Sequence, residues 1–144
     1  MKIALISPAG VMYGRKGIFP RALRYAPLTL TTLASLVPEE LNAEVEIIDE
    51  GIKKTSLNLD ADIIGISAIT GTVNRSYSLA DYFRKKGKIV VLGGVHPSIM
   101  PNEAKKHADS VIIGMAYKTW PQLLKDFKNG KLKDFYHDKK PSVR

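Results

Sequence analysis

The sequence predicts an α/β domain: a doubly wound, five-stranded parallel sheet in order 2-1-3-4-5, with helices on both faces giving three αβα layers. Three observations carry this. Short apolar runs alternate with longer amphipathic stretches along the chain. Most of those runs are continuous rather than alternating, which suits strands covered on both faces. The length, 144 residues, matches one core and one domain. We place that domain over residues 1–136 and read 137–144 as a polar tail or the start of a linker.

Lys2–Ser7 is the first buried strand. Its apolar run is too short, and too soon followed by Pro8 and Gly10, for a signal peptide. Residues 8–25 form a long loop punctuated by Gly and Pro. Pro27 suits the first turn of a helix whose face carries Leu30, Leu33, Ala34 and Val37, and Pro38 ends it. Glu44–Ile48 alternates and reads as an edge strand. Asp62–Ser67 is the second strongly buried strand. Val73, Tyr77, Ala80 and Phe83 mark a helix stripe that Gly87 ends, with Arg84, Lys85 and Lys86 where cations favour the dipole. Lys88–Leu92 is a further strand, its exit reading Gly93-Gly94-Val95-His96-Pro97. A short helix spans Pro101–His107, and Ser110–Ile113 is the last strand, closed by Gly114. Thr119 and Gln122 have capping-box spacing, with Pro121 in the first turn, ahead of the stripe Trp120, Leu123, Leu124 and Phe127. This order of elements is flavodoxin-like, or more broadly Rossmann-like.

Composition narrows the chemistry. Cysteine is absent, which excludes disulfides, thiol catalysis and iron–sulfur ligation by this chain. With no secretory signal read, a cytoplasmic setting is the simplest expectation. The net charge is +8, and residues 118–144 hold eight Lys/Arg against three Asp. We read that end as solvated rather than nucleic-acid-binding, and expect no membrane segment. The acid-free basic stretch Arg15, Lys16, Arg21 and Arg24 is either a solvated loop or an anion clamp.

In an open parallel sheet the ligand crevice lies outside the carboxyl ends of the strands. The informative loops are therefore 8–25, 67–72, 93–97 and 114–117, all rich in Gly or small hydroxyl residues. A phosphoacceptor site needs an Asp ending the third strand, where this chain has Ser67. Ser7-Pro8-Ala9-Gly10 is not a compact flavin phosphate loop, and neither GxGxxG nor a Walker A lysine occurs. The loops describe a wide, polar-rimmed platform. No residue reads as catalytic and no metal-ligating set is apparent.

At Ser67-Ala68-Ile69-Thr70-Gly71-Thr72 and Gly93-Gly94-Val95-His96-Pro97 the chain resembles the N-terminal cobalamin (B12)-binding domain of B12-dependent radical SAM enzymes. That group includes methyltransferases and the anaerobic magnesium-protoporphyrin IX monomethyl ester cyclases. The likeness runs from Pro27 to about Tyr136 and includes Glu44–Asp49, Asp60–Ser67 and Thr119-Trp120-Pro121. Of the general cobalamin pattern DxHxxG, SxL and GG, Ser67-Ala68-Ile69 matches the second part with Ile for Leu, and Gly93-Gly94 the third. The first is missing, since Ser7–Gly14 holds no His.

The resemblance implies bound cobalamin, base-off and without a histidine ligand from this loop. It implies Ser67, Gly93 and Gly94 around the nucleotide tail, with Ser67 hydrogen-bonding it. It places Ile69, Thr70, Gly71 and Thr72 before a helix, at the tail phosphate or amides. Gly94, Val95 and His96 would lie along the corrin edge, Gly114 on the last strand exit, and residues 8–25 over the lower corrin face. It implies a radical SAM domain in cis that holds S-adenosylmethionine and a 4Fe-4S cluster. That domain's CxxxCxxC motif is not in this Cys-free chain, which reads either as an N-terminal piece of a longer protein or as a stand-alone relic. Where the family commonly has Gly-Glu-x-Glu, this chain has Gly114-Met115-Ala116-Tyr117. The alternative is a degenerate flavodoxin-like interaction or regulatory domain without a cofactor.

Overall fold

The structure, a computed structural model, describes residues 1–10 and 28–138. The basic stretch from Arg15 to Arg24, Pro27, and the last six residues lie outside them. The strands are β1 (Lys2–Ser7), β2 (Glu44–Asp49), β3 (Ile63–Ser67), β4 (Ile89–Gly93), β5 (Ser110–Ile113) and β6 (Phe135–His137). The helices are α1 (Leu28–Ser35), α2 (Val73–Lys85), α3 (Val95–Ile99), α4 (Pro101–Lys105) and α5 (Thr119–Lys128). The sheet order is β2-β1-β3-β4-β5-β6 and every pairing is parallel. The expected flavodoxin-like order thus holds for its first five strands. No helix among the described residues is long and apolar enough to cross a membrane.

The sixth strand is an addition. His137 and its neighbours read as tail or its approach, yet Phe135–His137 pairs with Val111–Ile113. Only Tyr136 of the three is buried, so the run carries no hydrophobic period to read. A side chain seats it instead: the Tyr136 hydroxyl donates to Asp126 of α5 at 2.8 Å. Burial, then the Asp126 carboxylate, pushes this phenol up to about 12.

Continuous apolar strands bury both faces of the sheet. One face packs Ala4, Ile6, Ile64, Ile66 and Leu92 under Leu79, Ala80 and Phe83 of α2 and Ala104 of α4. The other packs Ile3, Leu5, Ile63, Val91 and Ile112 under Leu30 of α1 and Trp120, Leu123 and Leu124 of α5. Trp120 is 1% exposed, a burial that contributes roughly 2–3 kcal/mol. Gly87, with φ of +77°, takes the left-handed conformation that ends α2.

Two local expectations change. The β4 exit winds into α3, with Ser98 N–H donating to Gly94 C=O at 3.2 Å, instead of staying a loop. The capping box at α5 does not form. The preceding turn already accepts its first N–H groups, Trp120 to Ala116 at 2.9 Å and Gln122 to Lys118 at 3.4 Å. The Thr119 hydroxyl turns back to Met115 C=O, Pro121 falls inside the helix, and the Gln122 amide reaches Asp126.

The exits of β3 and β4 are bound to each other. Ala68 N–H donates to Gly93 C=O at 2.8 Å, and His96 N–H donates to Ala68 C=O at 3.2 Å. Gly94 crosses between them with φ of +104°, and a Cβ there would lie 2.6 Å from the Ala68 oxygen. Both conformation and space demand glycine. We expect Gly94→Ala to cost roughly 2–5 kcal/mol, from left-handed strain and overpacking together. Urea unfolding followed by circular dichroism measures it, and a loss no larger than the ~0.5 kcal/mol of an ordinary surface change contradicts the packing described.

Candidate functional site

A slot of about 630 Å³ opens at the carboxyl ends of the strands and runs down between the sheet and helices α1 and α5. Its floor is Leu5, Gly65, Val91 and Ile112, four neighbouring strand positions on the α1/α5 face. The register sets Gly65 between Leu5 and Val91, so one floor position lacks a side chain. Leu33 of α1 and Leu36 just after it wall one side, and Trp120 of α5 the other. The Trp120 indole N–H donates to Leu33 C=O at 3.1 Å, joining the two walls. A Cβ at Gly65 would lie 3.0 Å from Leu5 and 3.5 Å from the Trp120 ring.

The mouth is made of strand exits: Ser67, Gly93, Gly94 and Gly114. A Cβ on Gly93 would meet only Ile112, at an ordinary 3.7 Å, and its φ is not left-handed. Nothing among the described residues requires glycine there. What it provides is open space in the slot. The half-buried Ser67 side chain has no hydrogen-bond partner among the described residues. Ser98 braces the mouth: its hydroxyl donates to Gly94 C=O at 2.7 Å and accepts from Gly114 N–H at 2.9 Å.

The sequence-predicted residues fall into two groups. Ser67, Gly93, Gly94, Val95 and Gly114 line the slot. Ile69, Thr70, Gly71, Thr72 and His96 do not; they form the adjoining rim between β3, α2 and α3. Ile69, Thr70 and Gly71 are exposed. The Thr72 hydroxyl is turned back on Ile69, accepting its N–H and donating to its C=O, both at 3.2 Å. His96 is held at both ring nitrogens, by Thr70 and by Glu103. Gly65, Leu33 and Leu36 were missed. Gly65 alone left a signal, since glycine inside a buried strand marks a close approach.

A family profile described as "B12 binding domain" matches residues 20–124. The chain belongs to the B12-binding domain family. Apart from Leu5, all the slot-lining residues fall within the matched span. The chain is 42% identical over 113 residues to a bacteriochlorophyllide d C-8(2)-methyltransferase of Chlorobaculum tepidum, covering 78% of this chain and 25% of that protein. It is 33% identical over 112 residues to the C-12(1)-methyltransferase of the same organism, covering 76% and 24%. An uncharacterized methyltransferase of Pyrococcus horikoshii is 30% identical over 118 residues, covering 73% and 25%. The chain thus spans about a quarter of the length of these relatives.

The residues of this B12-binding domain fit a nucleotide-bearing cofactor. Among the described residues no side chain plugs the slot, its walls are mostly apolar, Gly93 leaves room, and the Ser67 hydroxyl has no partner. At the departure noted in the sequence, Met115 and Tyr117 are 68% and 59% exposed and edge the mouth with Leu28, Val95 and Ile99. Loss of the acids therefore leaves an apolar lip.

A buried carboxylate paired with a half-exposed arginine holds the neighbouring exits. Glu50, directly after β2, accepts from Arg75 Nε at 2.9 Å and Nη2 at 2.7 Å, and from Ala9 N–H at 3.1 Å and Thr55 N–H at 3.2 Å. Burial pushes its carboxyl up, but Arg75 and the two N–H groups outweigh that and hold it at about 2. A carboxyl lowered from its ordinary 4.5 stabilises fully above that value and loses its contribution as pH falls toward 2. We expect Glu50→Gln to lose roughly 2–3 kcal/mol at pH 7 and to flatten the acid limb between those values; urea titrations across that range measure both. For the slot, we expect Gly93→Val to keep the wild-type melting curve while filling the mouth. A collapsed fold would contradict the open space assigned to Gly93.

Proposed function

We propose that this domain binds cobalamin and presents it to a radical SAM domain in the same polypeptide, for methyl transfer. The observation that carries the reading is the open slot beside the strand exits, with Gly93 and Gly65 leaving room and the Ser67 hydroxyl without a partner among the described residues. Ser67, Gly93, Gly94 and Gly114 would hold the nucleotide tail, with Leu5, Val91, Ile112 and Trp120 around its buried end. The lip of Val95, Ile99 and Met115 would meet the corrin edge. When bound, cobalamin supplies a cobalt centre that accepts and donates a methyl group.

The chain's own part is binding and exclusion of water. Apolar slot walls favour an aromatic base over solvent. Ser98 and the Ala68–Gly93 bond keep the rim preformed, so little ordering free energy is lost on binding. S-adenosylmethionine and an iron–sulfur cluster belong to the remainder of a longer protein, because this chain has no cysteine. Methyl transfer is favoured over cyclase chemistry because the similar proteins are methyltransferases. The base-off state without a protein histidine rests on the His-free Ser7–Gly14 segment and on the engagement of both His96 nitrogens.

Incubation with hydroxocobalamin followed by gel filtration tests the proposal. We expect about one cobalamin per chain to co-elute, and Gly93→Val to elute colourless. After reduction to cobalt(II), the electron paramagnetic resonance spectrum should lack nitrogen splitting from a lower axial base. Colourless wild-type protein contradicts binding, and a nitrogen triplet contradicts the base-off assignment.

A further inference from the structure

The rim beside the slot carries a polar relay that the slot does not use. The exposed Thr70 hydroxyl lies 3.2 Å from His96 Nδ1. His96 Nε2 lies 3.2 Å from Glu103 Oε1, and its side chain is 13% exposed. The Tyr77 hydroxyl donates to the same Glu103 oxygen at 2.9 Å. Tyr77 in turn stacks on His107 at 4.1 Å, and His107 pairs with Asp81 at 2.9 Å. Lys106 adds a cation near Glu103. The parts come from the β3 exit, α2, α3 and α4, which converge here.

With the His96 ring neutral, the donor directions in this relay follow from Glu103. The hydrogen bonds from His96 and Tyr77 hold the Glu103 carboxyl below its usual range, so it is ionised and can only accept. In the neutral ring, Nε2 therefore carries the proton and Nδ1 is left as an acceptor. The group facing Nδ1 is the Thr70 hydroxyl, which must donate its hydrogen inward. Its lone pairs are left for whatever lies at the rim.

We propose that His96 and Glu103 are positioning residues that fix Thr70 as a hydrogen-bond acceptor at the mouth, selecting a ligand edge with N–H donors, a primary carboxamide, over a carboxylate. This rests on the cobalamin reading and deepens it: the periphery of that cofactor carries primary carboxamides, and a carboxylate in the same place would set acceptor against acceptor. Losing that bond and adding repulsion corresponds to roughly a tenfold preference.

The probes are hydroxocobalamin and its singly hydrolysed derivatives, each with one peripheral carboxamide converted to a carboxylate. We expect the wild-type domain to bind cobalamin roughly tenfold more tightly than one of these derivatives. Thr70→Ser should keep that ratio. Thr70→Val, at an exposed position, should bring it near one with cobalamin still bound. His96→Phe should lower it with Thr70 intact, by freeing the hydroxyl hydrogen. In the ligand-free protein, nitrogen-15 spectra should show His96 protonated at Nε2 and bare at Nδ1. Cobalamin binding without the preference, an unchanged ratio in Thr70→Val, or a proton on Nδ1 overturns this inference alone. Failure of the wild type to bind any of these ligands overturns the cobalamin reading and this inference with it.

Discussion

One backbone oxygen organises the ligand-facing end of this domain. The Ala68 carbonyl accepts from His96 N–H and presses against Gly94 so closely that no side chain fits there. Through that contact the β3 exit, the β4 exit and the start of α3 become one rigid corner. Ser98 extends it to the β5 exit, holding Gly94 and Gly114 together. Glu50 does similar work on the far side, tying the residues after β1 and β2 to Arg75 of α2. The mouth of the slot is thus built from backbone whose hydrogen bonds are already made, which leaves its few unpaired groups available to a ligand.

The corner divides two kinds of surface. On the α1/α5 side the sheet is hollowed, because Gly65 interrupts the floor and Trp120 leans across it to bond Leu33. That hollow is apolar and suits a ring system removed from water. On the α2/α4 side the same exits carry Thr70, His96, Glu103 and Tyr77 in a hydrogen-bonded row. A cofactor with a buried aromatic tail and a polar periphery needs both.

The sheet was legible because its strands are continuous apolar runs and its exits are marked by Ser67, Gly93 and Gly114. The alternation of Glu44–Ile48 marked the edge strand for a different reason, since a strand at the sheet edge is less completely covered. β6 was hidden because its anchor is one tyrosine bonded to Asp126, a long-range contact without periodicity. The α5 capping box misled because capping is a competition, and Ala116 and Lys118 had already taken the N–H groups. Within the site, glycines and Ser67 could be read locally, since turn chemistry is local. Leu33 could not, because it reads as an ordinary helix-face residue until α1 is seen across from Trp120, and Leu36 follows the helix with no local signal. The role of His96 was equally out of reach, since both its partners come from other segments.

In the proposed function the slot under the strand exits receives the nucleotide tail of the cofactor. Equilibrium dialysis of the domain against cobalamin and against cobinamide, which keeps the corrin and lacks the nucleotide, tests it most directly. The account predicts that cobinamide binds at least a hundredfold more weakly, about 2.7 kcal/mol, and that Gly93→Val brings cobalamin down to the cobinamide level. Equal affinity for the two corrins would contradict it.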